Sequence, residues 1–261
     1  MPEVICERAI ELGLSEIAFT EHLDFDPIDE GYGYYNYKGI SENLLELKSL
    51  YKGRLIIKKG VEVTYQRERE DEIEKFLDDK DFDFVIGSVH LIGEIDVSGD
   101  KGTEKYFKEV ERKKAIRSYF ETTHNLVNSG IFDCLGHFEM LRRYALKYIK
   151  DYSYEEFKEP IDEILEAIAK KGMTLEVNTS GLRHLPEETY PRIEIVERFL
   201  ELGGQNLTIG SDSHLPEHIG YRIPETMELL LNIGVKEITL FSKRKKEFKR
   251  MGKYQIGSRR L

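Results

Sequence analysis

Short apolar runs alternate with longer stretches of helical periodicity along the whole chain. Runs rich in Ile, Val, Leu and Phe predict strands over Glu16–Thr20, Leu55–Val63, Phe84–Val89, Phe132–Gly136, Thr174–Asn178, Leu207–Gly210 and Glu237–Phe241. Amphipathic spacing predicts helices over Pro2–Leu12, Ile40–Leu50, Glu68–Leu77, Glu104–Ser129, Tyr154–Lys171, Pro191–Leu202 and Glu225–Leu231. Pro2 suits a first helical turn and Gly13 a helix end. In "SYEEFKEPIDEILEAIAKKG" an early Ser153, acids in the first half and a Lys170-Lys171-Gly172 close follow the helix dipole and cap rules, with Pro160 expected to kink the helix. Strands and helices in alternation, with no long linker or low-complexity stretch, predict one α/β domain around a parallel sheet, open or closed.

The strand runs share a second feature, which is that they turn polar at their C-terminal ends. "IAFTEH" ends in His22, "GVEV" carries Glu62, "FVIGSVH" ends in His90, "CLGHFE" carries His137 and "LTIGSDSH" closes on Asp212 and His214. "TLEVNTSG" carries Glu176 and Asn178 in the same way. Gly, Ser and Asp form ordinary turns, but His and Glu are not the favoured turn residues. In a parallel barrel the strand C-termini meet on one face, so these side chains are expected to line one cup. His22, Glu62, His90, His137, Asp212 and His214 form a nitrogen and oxygen donor set without thiolate, suited to zinc, manganese or iron rather than calcium. Six donors in one cup favour two or more ions. Arg142, Arg143 and Arg183 follow such strand ends and could grip an oxyanion. His124, in mid-helix, reads as structural or exposed; His184 has an open role beside Arg183; His218 reads as a loop residue. "FDPIDEGYGYYNYKG", after His22, reads as a long loop walling the cup.

Composition narrows the partners. The chain has 261 residues, 40% of them hydrophobic, which is enough for a sizeable core. A net charge of −10 argues against broad adhesion to nucleic acid or membrane, while a metal cluster can still invert the local field toward an anionic substrate. No apolar run approaches the roughly 18 residues of a membrane span, and the acid-bearing start does not read as a signal peptide. Cys6 and Cys134 form no metal-type pair and read as buried free thiols of a cytoplasmic protein.

Together "AFTEHLDF", "KGVEV", "IGSVH", "GHFE", "EVNTSGLR" and "GSDSH" resemble the PHP (polymerase and histidinol phosphatase) family, in its monofunctional histidinol-phosphate phosphatase branch. The resemblance runs from Glu3 to about Lys245, and "NTSGLR" and "TEHLDF" are the branch-specific parts. It implies a distorted (β/α)7 TIM-like barrel with a trinuclear site at the strand ends. By resemblance, His90, His137 and bridging Glu62 form one metal subsite, Glu62 and Asp212 part of a second, and His22 and His214 part of a third. Glu62 and Asp212 are the implied catalytic residues. Ser88, Arg183 and either Arg142 or Arg143 are the implied phosphate ligands. The implied reaction is hydrolysis of L-histidinol phosphate to L-histidinol and phosphate, in histidine biosynthesis, by metal-activated water.

The family opens with an HxH strand ahead of its first helix, and no HxH occurs here. The expectation is therefore residues 1–261 as a single barrel domain, N-terminally truncated, without its first strand and holding fewer than three ions. Either Met1 is an internal Met of a longer natural chain, which the intact remaining motifs favour, or the chain is truly shortened, with an open barrel edge. Two other functions stay open: a phosphoesterase for another small phosphate ester or nucleotide, and a non-catalytic metal-binding relic. Substrate identity, physiological metal and oligomeric state are not specified by the sequence.

Overall fold

The computed structural model describes residues 2–29 and 31–252. Met1, on which the start-site expectation turns, lies outside them, as does Glu30 of the Tyr-rich loop. Helix α1 (Pro2–Glu11) leads into strands β1 (Glu16–Phe19) and β2 (His22–Leu23), then α2 (Tyr37–Leu50), β3 (Ile56–Thr64), α3 (Glu70–Asp78) and β4 (Phe84–Ser88). A small ribbon, β5 (Leu91–Ile92) and β6 (Ile95–Asp96), precedes α4 (Asp100–Glu109), α5 (Arg112–Ser129), β7 (Cys134–Leu135) and the short α6 (Arg142–Ala145). The chain continues through α7 (Lys158–Lys171), β8 (Thr174–Asn178), α8 (Ile193–Glu201), β9 (Leu207–Gly210) and α9 (Ile223–Asn232) to the hairpin β10 (Glu237–Ser242) and β11 (Lys245–Arg250).

Seven strands form one parallel sheet in the order β1-β3-β4-β7-β8-β9, with β2 continuing the β1 side of β3. The sheet curls into an incomplete barrel. Among the described residues β1 and β9 are its two edges, and a cavity of about 730 Å³ lies against both. This is the α/β barrel architecture expected, with the gap where closure would otherwise occur.

Three apolar clusters hold it. The largest joins the outer face of the sheet to α3, α5, α7 and α8. A second packs α1 and α2 against β1 and β3. The third, Phe84, Ile86, Cys134 and Phe241, fills the barrel interior below the strand ends. Phe241 stacks on Phe84 at 4.6 Å between ring centroids, so β10 plugs the base. Cys6 and Cys134 are buried free thiols, as expected.

Three local expectations change. The run Glu237–Phe241 is a strand, but it pairs antiparallel with β11 rather than joining the parallel sheet. Lys243 and Arg244 both have positive φ, the backbone of a tight two-residue hairpin, and Arg244 is anchored to Asp133. The single helix expected over Glu104–Ser129 is two. Val110 is extended between them, and the Glu111 carboxylate accepts from Lys114 N at 3.1 Å, capping α5. Pro160 does not kink α7. It is the third residue, where a missing N–H costs no helical bond.

Below the cup, Glu139 is fully buried with φ +75°, in the loop that carries His137. Arg192 meets its carboxylate through Nη2 at 2.6 Å and Nε at 3.2 Å, and also through its backbone N–H at 3.1 Å. Removing one member of such a pair leaves an uncompensated buried charge, which costs about 3–5 kcal/mol. Glu139→Ala is therefore expected to lower stability by about that amount in urea unfolding. Glu104→Ala, which breaks an exposed pair with Lys108, should stay within about 1 kcal/mol of the parent. Equal effects of the two substitutions would contradict the structural role of the Glu139–Arg192 pair.

Candidate metal centre at the strand ends

Side chains alternate along β3, so Glu62 and Thr64 project from the same face. His22 on β2 is in register with Glu62. His90 follows Ser88 by two residues and returns to the same side. His137 and Asp212 sit just past β7 and β9 with positive φ, +20° and +46°. Such backbone is uncommon for non-glycine residues, and it turns both side chains back over the sheet.

The Glu62 carboxylate is the focus. His137 Nε2 lies 2.7 Å and His90 Nε2 3.4 Å from Glu62 Oε1. The two imidazole nitrogens are 3.4 Å apart. Donor atoms of His22, Glu62 and His90 all fall within 4.8 Å of one another. The His22 ring centroid is 5.3 Å from that of His90 and 5.8 Å from that of His214. His214 Nδ1 is 3.4 Å from Asp212 Oδ1. The six donor candidates therefore gather at one end of the barrel. Glu62, His90 and His137 are buried, His22 and Asp212 are partly buried, and His214 is exposed.

Electrostatics tie the group together. Burial pushes the Glu62 carboxyl up, but the imidazoles of His22 and His137 outweigh it and hold the group well below the usual carboxylate range. Burial pushes His137 down, but Glu62 dominates and raises it to about 9. Glu62, acting against burial, also raises His22. Two imidazole nitrogens aimed at one carboxylate oxygen require a cation or a proton between them. The donors are nitrogen and oxygen atoms around a buried anion, so the residues fit a divalent ion of the zinc, manganese or iron type.

Other expected residues are placed differently. Ser88 is fully buried and donates to Glu62 Oε1 at 2.6 Å, so it stands behind the carboxylate rather than open to a phosphate. Gly136 makes room there, since a Cβ would lie 2.7 Å from Ser88 Oγ. Arg142 is buried and paired with Asp151 and Glu188, which places it in the frame rather than the cup. Its neighbour Arg143 has no ion-pair carboxylate among the described residues, and its positive charge acts on both Arg183 and His184. Arg183 donates to the carbonyls of Ser211 (2.8 Å) and Asp212 (2.9 Å), holding the loop that carries Asp212, while its buried Nε has no hydrogen-bond partner among the described residues. Burial, with Arg143 and Arg183 adding to it, pushes His184 down to about 4. His124 bonds Asn128 one turn along α5, in the structural place expected. His218 lies in a short turn after the Asp212 loop.

Glu176 had no assigned role. It is buried, and its Oε2 accepts the His137 backbone N–H at 2.8 Å and Asn178 Nδ2 at 3.0 Å. It therefore clamps the positive-φ backbone of His137. Gly210 opens the space, since a Cβ there would meet Glu176 Oε1 at 2.1 Å. Asp24 and Thr64 were also unassigned. The available signal was their i+2 spacing from His22 and Glu62.

A PHP domain match covers residues 1–180. The chain belongs to the PHP family. A histidinol-phosphatase of Lactococcus lactis subsp. lactis (strain IL1403) is 33% identical to this PHP-family chain over 250 residues, 93% of this chain and 88% of that protein. A histidinol-phosphatase of Bacillus subtilis (strain 168) is 31% identical, covering 85% of this chain and 90% of its own. The crystal structure of histidinol phosphate phosphatase from the same L. lactis strain, complexed with Zn, L-histidinol and phosphate, matches with a TM-score of 0.86 and 30% identity. It covers 95% of the PHP-family chain and 92% of the L. lactis one.

The raised pKa of His137 gives a prediction for chelator-treated protein. Below about 9 the imidazole is protonated in the folded chain, and a metal must displace that proton to bind its nitrogen. Zinc affinity is expected to rise with pH up to about 9 and then level, with proton release falling over the same interval. Calorimetry in buffers of different protonation enthalpy reads both quantities. Zinc affinity that is flat from neutrality to 9 would remove His137 from the donor set.

Proposed function

We propose that this chain is a metal-dependent phosphomonoesterase that hydrolyses L-histidinol phosphate to L-histidinol and phosphate. The observation that carries the reading is the buried Glu62 ringed by converging imidazoles, with Arg183 bound to the Asp212 loop and feeling the Asp212 charge, and Arg143 without an ion-pair carboxylate among the described residues. The likeness to a phosphatase crystallised with Zn, L-histidinol and phosphate supports that choice of substrate. We read residues 1–261 as one unit, since the main core runs continuously from Leu23 to Met251. No helix among the described residues is long and apolar enough to cross a membrane. The buried thiols accord with a cytosolic enzyme of small-molecule metabolism.

His22, Glu62, His90, His137, Asp212 and His214 would hold zinc, manganese or iron. Bound there, divalent ions supply an activated water and neutralise charge on the reacting phosphate. Glu62 presents its carboxylate to both buried imidazoles and is steadied from behind by Ser88. Arg183 fixes the Asp212 loop through two carbonyls, and its charge stands behind that loop. Arg143 approaches the same region without an ion-pair partner of its own among the described residues. The two guanidiniums would orient the phosphate and favour its increasing negative charge. Glu176 holds His137 so that its ring faces Glu62.

The test is phosphate release from histidinol phosphate and a panel of small phosphate esters and nucleotides, after loading with zinc or manganese. Preference for another ester would support the wider phosphoesterase reading. No turnover with metal bound would support a binding relic. Within that assay Arg143 is the cleaner probe, because Arg183 also holds backbone. Arg143→Ala is expected to lower kcat/KM about tenfold to hundredfold, the effect of one or two charge-assisted hydrogen bonds, with metal content unchanged. Arg143→Lys should recover part of it. Inorganic phosphate should raise the His184 pKa from its low value, since a nearby anion favours the imidazolium. Unchanged kinetics in Arg143→Ala would remove it from the phosphate site.

A further inference from the structure

Behind His90 lies a buried hydrogen-bond chain that the reaction scheme does not use. Thr64 Oγ1 is 2.8 Å from His90 Nδ1, the nitrogen facing away from Glu62. The same hydroxyl lies 2.5 Å from Asp24 Oδ1 and 3.2 Å from Asp29 Oδ2. All four residues are at most 9% exposed. A hydroxyl has one proton and two lone pairs. In its ionised form the nearer carboxylate, Asp24, can only accept, so it takes the proton. The lone pairs then face His90, and the 2.8 Å contact is favourable only if Nδ1 carries hydrogen. His90 Nε2 is thereby left bare toward Glu62 and His137.

The surroundings reinforce this order. Gly31 closes over the acids: its N–H donates to Asp29 Oδ1 at 2.9 Å, and a Cβ would lie 2.0 Å from Asp24 Oδ2. Asp24 Oδ2 itself is buried without a hydrogen-bond partner among the described residues. A half-satisfied buried carboxylate is destabilising, and such residues persist where they serve a site.

We propose that Asp24, acting through the Thr64 hydroxyl, is a positioning residue that fixes His90 as its Nδ1–H tautomer and holds Nε2 toward Glu62. The proposal rests on reading His90 as a metal donor. Side chains behind a metal-binding His commonly set its tautomer and ring orientation, and their loss costs about 10–100-fold in metal affinity.

The direct readout is spectroscopic and needs no turnover. The chain has seven histidines, so protein labelled with ¹⁵N in histidine alone gives a tractable long-range ¹H–¹⁵N spectrum. His90 is assigned by the signal lost in His90→Asn. In chelator-treated wild type above neutral pH, its protonated nitrogen is expected to be Nδ1. Thr64→Val, nearly isosteric, should shift His90 toward the Nε2–H form and weaken zinc binding about tenfold or more against a competing chelator. Thr64→Ser should restore both. Gly31→Ala, which displaces Asp24 without altering the chain's chemistry, should reproduce the Thr64→Val shift. An Nε2–H tautomer in wild type, or an unchanged tautomer in Thr64→Val, overturns the proposal. A tautomer shift with unchanged zinc affinity also overturns it as a positioning role. Zinc binding by wild type separately decides the metal-centre reading, so the two failures are distinguishable.

Discussion

The Glu62 carboxylate is buried where the strand ends of a curved sheet converge, and burial alone disfavours its charge. His22 and His137 reverse that preference, and Glu62 in turn raises both of them. Much of the surrounding architecture serves this mutual dependence. The β2–β3 register places His22 opposite Glu62, and Ser88 bonds the carboxylate from behind. The group is therefore an assembled anion with imidazoles on several sides, the arrangement a divalent ion would complete.

Holding that arrangement requires backbone that the chain would not adopt unaided. His137, Glu139 and Asp212 all have positive φ without being glycine. Each is restrained by a charged side chain from another element. Glu176 binds the His137 amide, Arg192 engages Glu139, and Arg183 holds the carbonyl of Asp212. Arg183 thus joins the two halves of the proposed chemistry: it fixes a donor loop and stands beside Arg143 where a phosphate would be gripped.

The strand ends were readable from the sequence because a parallel barrel converts a one-dimensional regularity, apolar run then ionisable residue, into a spatial one. The six donor candidates came from that regularity, which also marked Glu176 and Asn178. Arg142 and Arg143 could not be separated, because adjacent residues on a short helix point in different directions and only packing decides which one meets Asp151 and Glu188. Thr64 and Asp24 repeat the i+2 spacing of their neighbours, yet a Thr or Asp at a strand end is ordinary until three elements meet around it. The β10 run has the pattern of a barrel strand, while its partner Lys245–Arg250 is too charged to announce itself, so the hairpin was hidden. The break before α5 was hidden too, because Glu111 is not a favoured N-cap residue.

The account stands on one location, the space between Glu62, His90 and His137. Crystals of the chain soaked in zinc and measured at the zinc absorption edge would locate the ion directly by anomalous scattering. The expected result is a peak about 2 Å from a Glu62 oxygen and from Nε2 of both His90 and His137. Zinc found only at surface carboxylates, with no peak within bonding distance of Glu62, would contradict it.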